Sequence, residues 1–95
     1  MTQLSFSQLP DGRWKSDLAT GGDSAVVIIN FKFAGERANL EYRRTADASK
    51  EPVYAMNDTA RDGEYEASIS GVFKDAQYLC VISDVEPTEA QYKAV

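Results

Sequence analysis

Histidine is absent from this chain of 95 residues, and cysteine occurs once, at Cys80. The first absence removes together the commonest general base, proton shuttle and transition-metal ligand. The second excludes an internal disulfide, so a fold this small has to be held by its own core. Cys80 sits in the apolar run Tyr78-Leu79-Cys80-Val81-Ile82. There it reads as a small buried hydrophobe, since the activating base and electropositive surround of a nucleophilic thiol are missing. No recognised phosphate-binding loop accompanies it. The expectation is therefore a protein that is not an enzyme, with no catalytic residue, no cofactor and no metal site.

Long hydrophobic runs are lacking as well. The longest, Ala25 to Ile29, is far shorter than the roughly 20 residues of a membrane helix. Met1 to Leu9 alternates polar and apolar residues, without the basic start and apolar stretch of a secretory signal peptide. Neither a membrane span nor such a signal is expected. Positive charge is in deficit too: fifteen Asp and Glu oppose ten Lys and Arg, leaving a formal charge of -5. A field of that sign repels phosphate backbones, so nucleic acid is not an expected partner.

What the chain does contain is an ordinary globular balance, 43% hydrophobic and 26% charged residues, enough for one domain spanning residues 1–95 and for a single core. Its strongest signal has a period of two, the spacing of a pleated strand. In Ser24 to Phe33, Val27, Ile29, Phe31 and Phe33 form one apolar face, while Val26 and Ile28 give way to Asn30 and Lys32 on the other. This predicts a central strand, covered on both faces in its first half. Gln77 to Val85 predicts a second. Gly63 to Val72 alternates Tyr65, Ala67 and Ile69 with Glu64, Glu66, Ser68 and Ser70, the pattern of a half-buried strand.

Weaker strands are predicted at Gln3 to Ser7, with Leu4 and Phe6 inward; at Arg13 to Leu18, with Trp14 and Leu18 on one side; and at Asn39 to Thr45, with Leu40 and Tyr42. Pro52 to Met56 and Glu89 to Ala94 complete the set. Pro52 and Pro87 cannot donate ladder bonds and should mark strand starts or edges. Turn clusters separate the runs at Pro10-Asp11-Gly12, Thr20 to Asp23, Ala34-Gly35-Glu36, Asp47 to Lys50, Asn57 to Gly63 and Lys74-Asp75. Their spacing approaches the about 8–12 residues of sandwiches and barrels. No sustained helical stripe interrupts it, although Ala46 to Lys50 suits a helical turn. The expected fold is all-β, an antiparallel β-sandwich of roughly seven or eight short strands, immunoglobulin/fibronectin-like or jelly-roll-like, with a small barrel as the structural alternative.

Four groups of residues invite a functional reading. The acidic stretch Asn57-Asp58-Thr59-Ala60-Arg61-Asp62-Gly63 has the oxygen donors of a calcium loop, but not the alternating spacing of an EF-hand, and Arg61 would sit among the ligands. A solvated turn competes with a cation site there. Trp14 between Arg13 and Lys15 suits a stacking platform for a sugar, with Asp11 and Asp17 as hydrogen-bonding groups; equally, Trp14 fits a core-facing strand at the open end of the sandwich. Arg43 and Arg44 point to opposite faces of their strand, with Arg44 continuing the face of Leu40 and Tyr42, which favours a sheet-end salt bridge or an inter-subunit contact over a phosphate clamp. Glu64 and Glu66 share an exposed face, where nothing desolvates them for acid-base work and where they protect against aggregation.

Five segments carry a resemblance. They are Trp14-Lys-Ser-Asp, Gly22-Asp-Ser-Ala-Val-Val-Ile-Ile, Leu40-Glu-Tyr-Arg-Arg-Thr, Asp62-Gly-Glu-Tyr and the closing Val81-Ile-Ser-Asp-Val-Glu-Pro-Thr-Glu-Ala. In this order, spread over most of the chain, they resemble small β-sandwich proteins found among the virion genes of phages and prophages of gut Bacteroides-type bacteria. The resemblance implies a capsid decoration, head-fibre or tail-associated protein, assembled in the bacterial cytoplasm and residing in the virion. Its implied partners are other virion proteins or copies of itself, and it implies no catalytic residue. A carbohydrate- or cell-surface-binding module using Trp14 with neighbouring Tyr side chains is the alternative, and its partner would be a glycan; Arg13, Trp14, Lys15, Arg43 and Arg44 are the candidate binding surface.

Overall fold

Period-two alternation becomes ten strands, all paired antiparallel, in a computed structural model that describes residues 1–20, 26–70 and 78–95. The first five are β1 (Thr2–Gln3), β2 (Phe6–Gln8), β3 (Trp14–Ser16), β4 (Ala19–Thr20) and β5 (Val26–Lys32). They are followed by β6 (Ala38–Thr45), β7 (Val53–Ala60), β8 (Glu64–Ser70), β9 (Tyr78–Ser83) and β10 (Glu89–Ala94). A four-stranded sheet runs β1-β10-β5-β8; a six-stranded sheet runs β2-β3-β9-β6-β7, with β4 also on β9. The two pack face to face as a β-sandwich. The radius of gyration, 12.2 Å, matches the about 12 Å of one compact domain of this length.

The inner faces are those the alternation marks. Val27, Ile29 and Phe31 of β5, with Phe33 just beyond it, are all buried, and they meet Leu40 and Tyr42 of β6 and Leu79 and Val81 of β9. Phe31 and Phe33 stack with ring centroids 5.7 Å apart. Burying each such side chain contributes about 1.5–3 kcal/mol. Both strands expected at the centre are internal, β5 between β10 and β8, and β9 beside β6. Ser24, Ala25, Gln77, Gly71, Val72 and the turn clusters at residues 21–23 and 74–75 lie outside the described residues.

Several expectations need correction. Among the described residues the strands number ten rather than seven or eight, because two expected single strands are divided. Gln3 to Ser7 is split at Leu4 and Ser5, where the chain leaves one sheet for the other and Leu4 plugs the core between them. Arg13 to Leu18 is split at Asp17 and Leu18, and its register against β9 slips by one residue, from Lys15 opposite Ile82 to Ala19 opposite Leu79. The extra residue is a bulge, and it hands the inward position expected of Leu18 to Ala19. Asn39 to Thr45, read as a weaker strand, is an internal strand between β7 and β9. Val26 and Ile28 are half-buried rather than covered.

The two sides of the sandwich differ. On one side, β1 and β2 lace the sheets together: Leu4 N–H donates to Ala90 C=O at 2.8 Å, Ser5 N–H donates to Asp17 Oδ1 at 3.0 Å and Asp17 N–H donates to Ser5 C=O at 2.9 Å. On the other side, β7 and β8 end their respective sheets and are joined through Arg61-Asp62-Gly63. Gly63 makes that reversal at φ 79°, a left-handed conformation open to glycine at little cost. No further strand pairs with β7 or β8 on this side among the described residues.

Candidate functional site

Strand parity divides the residues marked in the sequence. Arg13, Lys15 and Arg43 share the outer face of the six-stranded sheet, where Lys15 stands opposite Ile82 and Arg43 opposite Cys80. Each cation has an acidic partner. Arg13 Nε meets Asp11 Oδ2 at 2.9 Å, Lys15 Nζ meets Glu51 Oε1 at 2.8 Å, and Arg43 Nε bonds Glu41 Oε2. Beneath this layer Cys80 is 0% and Ile82 1% exposed, covered by the long stems of charged side chains whose heads stay in water. Desolvation pushes the Cys80 thiol pKa up, which keeps it protonated and unreactive. The reading of Cys80 as a buried hydrophobe therefore holds.

Trp14 and Arg44 belong to the opposite face. Trp14 stands in one row with Ser83 and Leu40, and Arg44 in one row with Leu79 and Val53. Trp14 is half-buried. It therefore shares no face with Arg13 and Lys15. The two carboxylates expected to serve a sugar are engaged within the chain. Asp11 accepts from the backbone and side chain of Arg13, and those bonds hold its pKa below the ordinary carboxylate value. Asp17 accepts from Ser5. Arg44 borders a depression of about 450 Å³ with Thr45, Asp47, Lys50, Glu51 and Val53.

The acidic stretch is not a loop. Asn57 to Ala60 forms the second half of β7, leaving only Arg61-Asp62-Gly63 to turn. Pairing with β6 captures these residues: Asp58 lies opposite Leu40 and Ala60 opposite Ala38. That parity points the Asp58 carboxylate inward, where its Oδ2 accepts from Tyr42 Oη at 3.0 Å and Tyr65 Oη at 2.8 Å. Tyr42 comes from the same sheet and Tyr65 from the other, so one carboxylate oxygen fastens the sheets on the side that β1 and β2 do not lace. Burial first, and the Asp58 charge second, raise the Tyr42 pKa far above its ordinary value; the Tyr65 pKa is raised by burial first and then by its hydrogen bond to Asp58. Among the described residues no group of three or more His, Cys, Asp or Glu is placed to hold a metal ion. The Asp58 cluster had one legible signal, an acid at the inward parity of Met56 and Ala60, since a carboxylate at a core position needs donors.

Two surfaces stand out on the finished fold. The outer face of the four-stranded sheet has a groove of about 530 Å³ in which Lys32 lies 3.4 Å from Glu89 and 3.9 Å from Glu64. The edge strand β7 carries the other. Val53 is 64% and Tyr54 58% exposed, the largest apolar exposure away from the chain ends among the described residues. Between β6 and β7 the register shifts after Tyr42, leaving Ala55 as the extra residue of a bulge that turns this start of the edge outward. Pro52 directly precedes it, as expected of a proline at a strand start.

Among the described residues no helix is long and apolar enough to cross a membrane. No protein-family model, curated protein or solved structure matches the chain.

Proposed function

We propose that this chain is a non-enzymatic assembly protein, a structural component of a phage particle of the decoration, head-fibre or tail-associated kind, which binds through the open side of its sandwich. The observation that carries this reading is the β7 edge: an eight-residue edge strand presenting Val53 and Tyr54 to solvent. An unpaired edge offers main-chain donors and acceptors to a neighbouring strand, and exposed side chains beside it supply selectivity.

The chemistry of the rest of the chain supports it. Histidine is absent, the thiol is sealed, and the cations of the outer face are paired within the chain. The resemblance in five sequence segments supplies the phage setting. A glycan-binding reading draws less support, because Trp14 stands on a different face from Arg13 and Lys15 while Asp11 and Asp17 are occupied.

The test is composition and capture. Particles purified from a host that carries the gene should contain the chain in stoichiometric copies by mass spectrometry, and the isolated chain should bind particles lacking it. A chain absent from particles and indifferent to every component of them rules the proposal out.

A further inference from the structure

We propose that β7 is a self-pairing edge, on which a second copy of the chain adds its own β7 antiparallel about a two-fold axis near Ala55, joining the six-stranded sheets of both copies. The inference rests on the assembly reading and names the partner at its open side.

Among the described residues four strands end the main paths of the two sheets, and three of them suit self-pairing poorly. β1 and β2 are two and three residues long and lie on the laced side. β8 is longer, but Glu64 and Glu66 share its exposed face. Two copies of β8 laid antiparallel would set these carboxylates against one another, and like charges across a strand pair destabilise it. Natural edges use such charges to refuse partners.

β7 carries no such charges on its outward face. Its outward side chains, Tyr54, Asn57 and Thr59, are neutral, and they stand opposite Arg43, Glu41 and Asn39 of β6. Its single charged residue, Asp58, faces inward and is held by two tyrosine hydroxyls. A two-fold contact brings a surface against itself, and a neutral strip meets that requirement without a complementary partner of other composition. The strand also shows which part is open. Asp58 Oδ1 accepts the Thr59 N–H at 2.8 Å, capping the far end, so the free stretch is Val53 to Asn57 and its midpoint is Ala55. Tyr54 and Asn57, which share the outward face, then lie opposite each other across the axis, and the two copies of Tyr54 become diagonal neighbours about 7–8 Å apart.

That geometry makes residue 54 a charge probe. Sedimentation over a wide concentration range should show the unmodified chain dimerising. Tyr54→Lys and Tyr54→Glu should each be monomeric, with unchanged far-ultraviolet circular dichroism because the site is exposed, and mixing the two should restore the dimer. Amide exchange in the unmodified chain should slow at residues 53–57 as concentration rises. A chain monomeric throughout, or a dimer that ignores both substitutions and leaves those amides unprotected, overturns the proposal. A monomer that still joins a particle overturns only the self-pairing. A dimer that no particle accepts overturns only the assembly reading.

Discussion

Tyr65 on the four-stranded sheet donates its hydroxyl to Asp58 Oδ2 on the six-stranded sheet at 2.8 Å, and the fully buried Tyr42 shares that oxygen. Truncating the carboxylate strands the Tyr42 hydroxyl in the core. An unsatisfied buried donor costs about 1–3 kcal/mol, so Asp58→Ala should lower stability in urea by that order. Tyr65→Phe, which leaves Asp58 and Tyr42 bonded to each other, should cost less. Equal midpoints for Asp58→Ala and the unmodified chain would show that the carboxylate fastens nothing.

The same cluster sets an alkaline limit. The folded-state pKa of Tyr42 is raised above the unfolded value, so the folded state holds its phenolic proton more tightly. The resulting stability is fully present below the unfolded tyrosine pKa of about 10 and is lost as pH rises from there toward the folded value. One proton held in this way gives a slope of up to about 1.4 kcal/mol per pH unit in that window. Unfolding free energies measured above pH 10 should fall more steeply for the unmodified chain than for Tyr42→Phe; parallel curves would refute the linkage.

How far these features were legible in sequence follows from what each depends on. The core of β5 was readable because Val27, Ile29, Phe31 and Phe33 repeat every two residues, and pleating alone decides their side. The division of Arg13 to Leu18 was not. It depends on one extra residue against β9 and on Asp17 leaving the strand to lace Ser5, a partner twelve positions away. Composition made Asn57 to Gly63 look like a turn, since Asn, Asp, Thr and Gly are turn formers. Pairing with β6 and two tyrosine donors overrode that preference. Arg13 and Arg43 have acidic partners two residues away, Asp11 and Glu41, at a spacing the sequence displays, whereas Glu51 lies 36 positions from Lys15 and meets it only in the folded chain.

Ser16 tests how the bulge is tolerated. Its Oγ accepts the Val81 N–H at 2.9 Å and donates to Asp17 C=O at 2.8 Å, replacing ladder bonds that the register slip removes. Ser16→Ala should leave the buried Val81 N–H without an acceptor, at a cost of about 1–3 kcal/mol. Its exchange should accelerate relative to the neighbouring Val81 flanks, Cys80 and Ile82. If Val81 protection and the denaturation midpoint both stay put, another acceptor serves that amide.

Cys80 reports on the layer of charged stems above it. The thiol is 0% exposed and its pKa is raised by desolvation, so a thiol-specific reagent should label the folded chain slowly and the urea-unfolded chain at the rate of a free cysteine. Lys15→Ala and Arg43→Ala remove stems as well as charges. Both substitutions should speed labelling of the folded chain, the double variant most, while high salt, which weakens the ion pairs but leaves the stems in place, should change the rate little. A salt effect as large as that of the substitutions would mean that charge pairing, rather than the hydrocarbon of the side chains, seals the outer face. Cys80→Val keeps a small hydrophobe at the site and should cost less than about 1.5 kcal/mol. Cys80→Ser, which brings a hydroxyl beneath the same stems, should cost more, and the order of those two midpoints measures how dry the space under the ion pairs is.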